Sequence, residues 1–553
     1  MLLQIEIIPW QYLDETPTLH TYLLKLYVGF KRHKMKIEGK EIDNSQMMAA
    51  ISDKKNVCVN AGAGSGKTLT IIAKLVYILE NKLAKPEEIL LLAYNSKVSK
   101  ELQYRIKELA KYHPNIKEFL ETVSTEKGSL RRIHTFHSFG LFLLIRNNSN
   151  IKVGYNETKE NKIREINKSR FIEILISTQM LNDQLFGKKI KKYFATEFFS
   201  QKNIFKDIKS MSDYYSEIKP RLVSLKTKKE DNFYYNIVVK SKQELEIANY
   251  LYLKGIEFTY EDPYKGELPE EWKERSSSDY KPDFHLYKEN RDGTVEYDYY
   301  YEHFGLDKNL EPPNYFNDKQ KYIDDYETKI KLHGERLIKT YSYEKYNGTL
   351  FENLDKQLSE RGIFVPDDFV VSDEEAISSF NKAGYFNVFA NDVTKFLENF
   401  QLREYTISEL EKKFESNWFQ KLFETHENKR IRIFIDLFSD IFSIYVDKLK
   451  RDQRVYFEEM LIECKKYLGD YKLKYLIVDE FQDISPLRSR IIQTLQKANP
   501  ELQFFCVGDD WQSIYRFSGS DIKIIVNQFE NYFGKREIIN LSKTYRFNKL
   551  LAK

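Results

Sequence analysis

The sequence predicts an α/β protein whose parallel sheet is assembled from two stretches lying far apart in the chain. Three observations predict it: short apolar runs alternating with helical patterns, a glycine-rich turn directly after one run, and an acidic pair directly after another. The first block covers 43–150. Val57-Cys58-Val59 reads as a strand, followed by the glycines and a helix through Leu79; Ile89 to Ala93 reads as a second strand, leading into a helix from Ser96 to Ala110. The second block covers 471–541, where Leu476-Ile477-Val478, Phe504 to Val507 and Ile538 to Leu541 are short apolar runs. Sheets of this kind bind ligands at the carboxyl ends of their strands, where both the glycines and the acids fall.

Between the blocks, residues 151–235 and 351–470 are rich in Lys and Glu with Ile, Leu and Phe at helical spacing, which predicts a large helical insertion. Residues 236–350 differ: they are rich in Tyr, punctuated by Pro and Gly, and alternate as strands do, which predicts an inserted α/β domain. Residues 1–42 form an N-terminal segment whose apolar patches are broken by Glu6, Asp14 and Glu15 before a signal-like core forms. No run approaches the ~18 apolar residues of a membrane span, so no membrane partner and a cytoplasmic location are expected.

At 553 residues, 42% hydrophobic and 31% charged, the chain has room for roughly three or four domains, and wholesale disorder is not expected. A net charge of only +4 does not by itself argue for nucleic acid. A local basic stretch does exist: Lys188, Lys189, Lys191, Lys192, Lys202, Lys206 and Lys209 recur among aromatics, as either a nucleic-acid surface or a solvated helical face. Cys58, Cys464 and Cys506 form no CxxC. Cys58 and Cys506 sit in apolar runs and are expected to be small core residues in a reducing compartment.

Ala61-Gly62-Ala63-Gly64-Ser65-Gly66-Lys67-Thr68 follows a strand and opens a helix, the context a phosphate-binding loop requires. The glycines let backbone N–H groups turn inward around a β-phosphate, and the helix N-terminus adds partial positive charge. Lys67 can reach the β- and γ-phosphates, and the Thr68 hydroxyl can ligate Mg²⁺. Val478-Asp479-Glu480 supplies the complement: Asp479 is positioned to hold Mg²⁺ and Glu480 to activate the attacking water.

Other segments carry a resemblance. Asp479-Glu480-Phe481-Gln482-Asp483 and Gly508-Asp509-Asp510-Trp511-Gln512-Ser513-Ile514-Tyr515-Arg516-Phe517 resemble motifs II and III of UvrD/Rep-type superfamily 1 DNA helicases. Gln46 matches their Q motif, Tyr94-Asn95-Ser96-Lys97 resembles motif Ia, Thr135-Phe136-His137-Ser138 motif Ib, and Lys543-Thr544-Tyr545-Arg546-Phe547-Asn548 motif IV. The wording GDDWQSIYRFSG and TYRFN is nearest the helicase IV type within that family. The resemblance implies a RecA-like motor lobe that binds ATP and Mg²⁺ and moves 3′–5′ along single-stranded or partly duplex DNA. It implies that Gln46 and Tyr545 hold adenine, that Gln512 senses the γ-phosphate, and that Arg546 brings positive charge to the phosphoryl transition state. Tyr94, His137, Trp511, Tyr515 and Phe517 would line a single-strand groove; independently, the three aromatics around Arg516 suit base stacking. Ser518 stands where many relatives carry an Arg, which puts one contact in doubt.

Within the Tyr-rich segment, Asp292-Gly293 is a strong hairpin signal. With those two residues as the loop, residue i pairs with 585 − i (292 + 293 = 585), and Asp283 faces Glu302 at about 5 Å between Cβ atoms. Facing carboxylates repel unless a cation lies between them. With Glu244 from a preceding helix, the set resembles the PD-(D/E)xK nucleases of the restriction-endonuclease-like fold. That implies a catalytic trio of Glu244, Asp283 and Glu302, with a second Mg²⁺ or Mn²⁺ on Asp283 and Glu302. The family's lysine would fall at Phe304; Lys281 is the candidate substitute, and without a lysine the site would hold metal and DNA yet cut poorly.

No counterpart of the later helicase motifs follows Arg546. The resemblance therefore implies that 542–553 begins a second motor lobe, truncated here or supplied by a separate chain, and that this chain binds ATP but unwinds poorly alone. A role in DNA repair or defence fits. Two other readings stay open: a nuclease gated by ATP, and a non-catalytic protein that binds DNA in an ATP-dependent way.

Overall fold

The computed structural model describes residues 36–37, 40–62, 64–123, 132–148, 150–159, 162–199, 202–218, 222–230, 233–275, 279–421, 425–509, 521–541 and 543. The chain forms two compact units: Met1–Val153 with Glu398–Glu404 and Gln453–Lys553, and Gly154–Leu397 with Tyr405–Asp452.

The first unit is built on a six-stranded sheet in the order Glu537–Leu541, Asn56–Ala61, Gln503–Gly508, Tyr475–Val478, Ile89–Ala93, Ile133–Thr135. Every neighbouring pair is parallel. Strands covered on both faces must be apolar throughout, and Ile89–Ala93 and Tyr475–Val478 are buried at every position. Alternate residues feed two cores. Val57, Val59, Leu91, Ile477 and Phe505 face one, with the helix Lys67–Glu80; Cys58, Leu90, Leu92, Val478 and Cys506 face the other. All three cysteines are buried and unbridged. The sequence predicts the glycine loop and the Asp-Glu pair on neighbouring strand tips. In fact Gln503–Gly508 lies between their strands, so the loops meet across an intervening strand.

The second unit contains a four-stranded sheet in the order Thr259–Tyr260, Phe284–Glu289, Val295–Phe304, Leu337–Tyr341. The first three strands are antiparallel, and the last runs parallel to Val295–Phe304 after a crossover that contains the helix Lys319–His333. The helix Lys242–Leu253 precedes the sheet. The helical reading of 151–235 holds for Lys168–Asn182 and Gln184–Thr196 but not for two hairpins, Tyr155–Lys159 with Lys162–Ile166 and Leu222–Glu230 with Phe233–Val239. Cross-strand pairing, which local spacing does not report, decides those segments. The stretches expected as separate pieces at 151–235, 236–350 and 351–470 share this one unit, apart from 151–153, Glu398–Glu404 and the residues from Gln453 onward. The basic stretch is largely neutralised within it: Lys188 pairs with Asp368, Lys189 with Asp440 and Lys191 with Asp373. Among the described residues, no helix is long and apolar enough to cross a membrane.

Candidate nucleotide site and a second acidic cavity

In the first unit, the strand Asn56–Ala61 ends in a loop that turns on Gly64 (φ 72°) and Gly66 (φ 87°), and Gly66 caps the helix Lys67–Glu80. Ser65 closes the loop by donating from its N–H and hydroxyl to the Gly62 carbonyl at 3.1 and 2.7 Å. A side chain at Gly66 would meet the Gln46 amide nitrogen at 2.4 Å as well as strain the backbone, so glycine is required there twice over. Gln46 is fully buried; its amide donates to the Ser65 carbonyl at 3.1 Å and accepts from the Asp43 N–H at 3.1 Å, while Asp43 caps its helix. Gln46 thus holds the loop in place from below. The first N–H groups of the helix have no intrahelical partners, which makes its N-terminus a seat for an anion.

Across the intervening strand, the Lys67 ammonium lies 2.9 Å from the Glu480 carboxylate. Glu480 sits at φ 49°, in the left-handed region, where strain of a kind common at functional sites turns its side chain back over the sheet tips. Asp479 is 4% exposed and accepts from the Glu480 N–H at 2.8 Å. Burial and then the Glu480 charge push its carboxyl up to about 7, as expected of an acid that lacks a cation. Burial and Glu480 also push Asp483 up to about 6. Oxygen donors of this type, Asp479 with the Thr68 hydroxyl, fit Mg²⁺. Gln482, to which the sequence assigns no role, donates to Glu480 at 2.7 Å and accepts from the Asp509 N–H at 2.9 Å, linking the acids to the end of Gln503–Gly508.

Tyr94 is partly buried under the Arg488 guanidinium, 4.8 Å from its ring. His137 stands 5.3 Å from the ring of Phe457, which is 61% exposed and which the sequence does not single out, because a lone aromatic carries no pattern. Ala63, Trp511, Gln512, Tyr515, Phe517, Tyr545 and Arg546 lie outside the described residues.

In the second unit, Glu244, Asp283 and Glu302 line one cavity of about 550 Å³. The predicted register holds from Phe284↔Tyr301 to Lys288↔Tyr297, and a bulge then leads to Glu289↔Val295. The hairpin loop is therefore longer than Asp292-Gly293 alone, and the ladder stops one pair short of Asp283 and Glu302. The Asp283 side chain instead accepts from the His303 N–H at 2.8 Å. Glu302, 1% exposed, accepts from the Tyr280 hydroxyl at 2.5 Å and from the Lys329 ammonium at 2.7 Å. Glu244 accepts from the Tyr260 hydroxyl at 2.5 Å. Burial, then Glu302 and Glu244, hold the Asp283 carboxyl well above the usual range. Burial opposes the Lys329 charge, but Glu302 and Asp283 overcome it and raise its pKa.

The lysine at these carboxylates is thus Lys329, on the helix Lys319–His333, and not Lys281, which is exposed. Phe304, at the position where the nuclease pattern would have its lysine, is buried with its ring 5.9 Å from the Lys329 nitrogen. Among the described residues, no group of three or more His, Cys, Asp or Glu converges tightly enough to hold a metal as it stands. Each carboxylate is engaged by a neighbour of its own.

A family model, UvrD/REP helicase N-terminal domain, matches residues 42–285 and 273–533. Among curated proteins, DNA helicase IV of Escherichia coli (strain K12) is 36% identical over 124 residues, 21% of this chain and 18% of that protein. ATP-dependent DNA helicase PcrA of Bacillus subtilis (strain 168) is 30% identical over 125 residues, 21% of this chain and 16% of that protein. An ATP-dependent helicase/nuclease subunit of Clostridium botulinum (strain Alaska E43 / Type E3) is 22% identical over 541 residues, 92% of this chain and 38% of that protein. The matched parts thus span well under half the length of these relatives. With the glycine loop and the Asp-Glu pair joined at one end of a parallel sheet, and the family model matching most of its length, the chain belongs to the UvrD/REP helicase N-terminal domain family.

Proposed function

We propose that this chain carries the ATP-binding lobe of a DNA helicase that moves 3′–5′ along a single strand, in DNA repair or defence. The observation that carries the reading is the 2.9 Å approach of Lys67 to Glu480 over the glycine loop, which brings both halves of a phosphoryl-transfer site to one place. The loop N–H groups and Lys67 bind the phosphates, and Glu480 takes the proton of the attacking water. Thr68 and Asp479 would hold Mg²⁺, which neutralises charge on the β- and γ-phosphates. Gln482 couples Glu480 to the segment that follows Asp509, where Gln512 is assigned to sense the γ-phosphate. Gln46 and Tyr545 are assigned to adenine, and Arg546 to the transition-state charge. Tyr94, His137, Trp511, Tyr515 and Phe517, joined by Phe457, line the path of the strand.

The relative from Clostridium botulinum is named as one subunit, which supports a partner chain here, for example one that supplies the second motor lobe. Phosphate release measured with and without single-stranded DNA, on the chain alone and with such a lobe added, tests the reading. Release stimulated by DNA and lost in Glu480→Gln is expected; release indifferent to both would refute it.

A second reading is favoured by one observation, the gathering of Glu244, Asp283, Glu302 and Lys329 around one cavity. These carboxylate oxygens suit a hard divalent cation, Mg²⁺ or Mn²⁺, and the cavity would then serve metal-dependent cleavage of DNA. Nicking that requires Mn²⁺ and disappears in Glu302→Ala is expected. Nicking that persists in that variant removes the site.

A further inference from the structure

Two features of the second cavity go beyond a metal site. First, Glu302 already has a cation. The Lys329 ammonium lies 2.7 Å from one of its oxygens, and a divalent ion on Glu302 would have to take that place. Among the described residues Lys329 is held by this one ion pair, and it reaches the cavity on a flexible four-carbon stem, so its charge can move without moving the helix Lys319–His333. Second, two donors on the cavity wall are unsatisfied. Trp272 and Tyr315 are each 8% exposed, and neither the indole N–H nor the phenol oxygen has a hydrogen-bond partner among the described residues. Buried donors left unpaired cost about 1–3 kcal/mol each, and an acceptor-rich guest would relieve that cost. Trp272 can only donate, so the guest presents oxygens rather than N–H groups. Lys202 and Lys281 stand exposed at the same cavity, which suits a strand passing along its mouth.

We propose that Lys329 is a resident counter-cation: its ammonium holds Glu302 until a divalent cation takes the carboxylates, then turns onto a backbone phosphodiester of a nucleic-acid strand, to which Trp272 and Tyr315 also donate. Metal and phosphodiester then bind cooperatively, because the displaced ammonium has nowhere better to go than the phosphate. The exchange rests on the metal reading of this cavity and adds to it the ligand class and the coupling.

The test is Mn²⁺ titration of the purified chain by calorimetry, alone, with thymidylyl-thymidine (a single phosphodiester), and with inorganic phosphate. In the unaltered chain, thymidylyl-thymidine is expected to tighten Mn²⁺ binding about tenfold. Lys329→Met is expected to tighten Mn²⁺ binding without the dinucleotide several-fold and to abolish the tenfold coupling. That pair of opposite effects is not produced by a lysine that only supports the fold. Trp272→Phe and Tyr315→Phe keep their rings and are expected to weaken the coupling while leaving Mn²⁺ binding by itself unchanged. These two conservative variants keep the test decisive if Lys329→Met does not fold.

Weaker Mn²⁺ binding in Lys329→Met, or undiminished coupling in all three variants, overturns the exchange. Coupling seen with inorganic phosphate and absent with the dinucleotide overturns the strand assignment. Glu302→Gln distinguishes the levels: if it leaves Mn²⁺ binding intact, the metal reading itself fails and the exchange with it. If Mn²⁺ binding is lost there but Lys329→Met behaves like the unaltered chain, only the exchange fails.

Discussion

Each unit sets one lysine against one glutamate, and the two pairs differ in kind. Lys67 and Glu480 meet at 2.9 Å with side chains 14% and 27% exposed; Lys329 and Glu302 meet at 2.7 Å with side chains 20% and 1% exposed. The first pair lies within reach of water, where a lysine–carboxylate contact contributes little to stability and its partners can exchange for a phosphate at small cost. In the second, a sealed carboxylate depends on its neighbours. There the ammonium and the Tyr280 hydroxyl are what make burial of Glu302 tolerable. Similar geometry therefore serves an open anion seat in one unit and a closed polar network in the other.

The largest expected effect separates the two sites. Lys67→Ala should weaken ATP binding about 10–100-fold, read by titration with a fluorescent ATP analogue, while Mn²⁺ binding attributable to Glu302 stays unchanged. Loss of both together would end the view that the sites are independent. Next comes stability. Glu302→Ala leaves Lys329 without its partner in a buried setting and should cost about 3–5 kcal/mol in urea unfolding, against under about 1 kcal/mol for Glu480→Ala. Similar costs for the two would remove the contrast drawn from exposure.

A pH effect of similar or smaller size belongs to the second unit. Burial, followed by the Lys329 charge, holds His333 down at about 4 against an ordinary value of 6.5. Between those values the unfolded chain binds a proton that the folded chain refuses, so this stability is complete above pH 6.5 and is lost as pH falls towards 4. His333→Gln should flatten that stretch of the stability curve by on the order of 3 kcal/mol, measured by thermal unfolding across pH. An unchanged slope would show that the ring takes up its proton in the folded chain. The smallest effect concerns the support of the phosphate loop: Asp43→Ala removes the cap of the helix carrying Gln46 and should cost about 1 kcal/mol. A cost confined to stability, with ATP affinity kept, would limit Gln46 to its packing against Gly66.

The motor site was legible because its parts are local. Strand, glycine turn, lysine and helix follow one another within Asn56–Glu80, and the acids directly follow Tyr475–Val478. Local hydrogen bonding and backbone freedom write such features into adjacent residues. The hairpin register was also readable, since side chains alternate with a period of two, up to the bulge before Glu289. Gln482 was less visible, because its link to Asp509 joins two segments that only the sheet brings together.

From the chain alone came the α/β class, the phosphate loop at Gly62–Lys67, the acids Asp479 and Glu480, and the three carboxylates Glu244, Asp283 and Glu302. Tertiary structure alone decided that Gln503–Gly508 separates the two halves of the motor site, and that 154–397 and 405–452 make one unit. It also decided that Lys329, not Lys281, meets the second set of acids. The physical reason is common to all three. Periodicity and turn chemistry are properties of neighbouring residues, whereas strand order and the partner of a buried charge depend on which distant segments pack together.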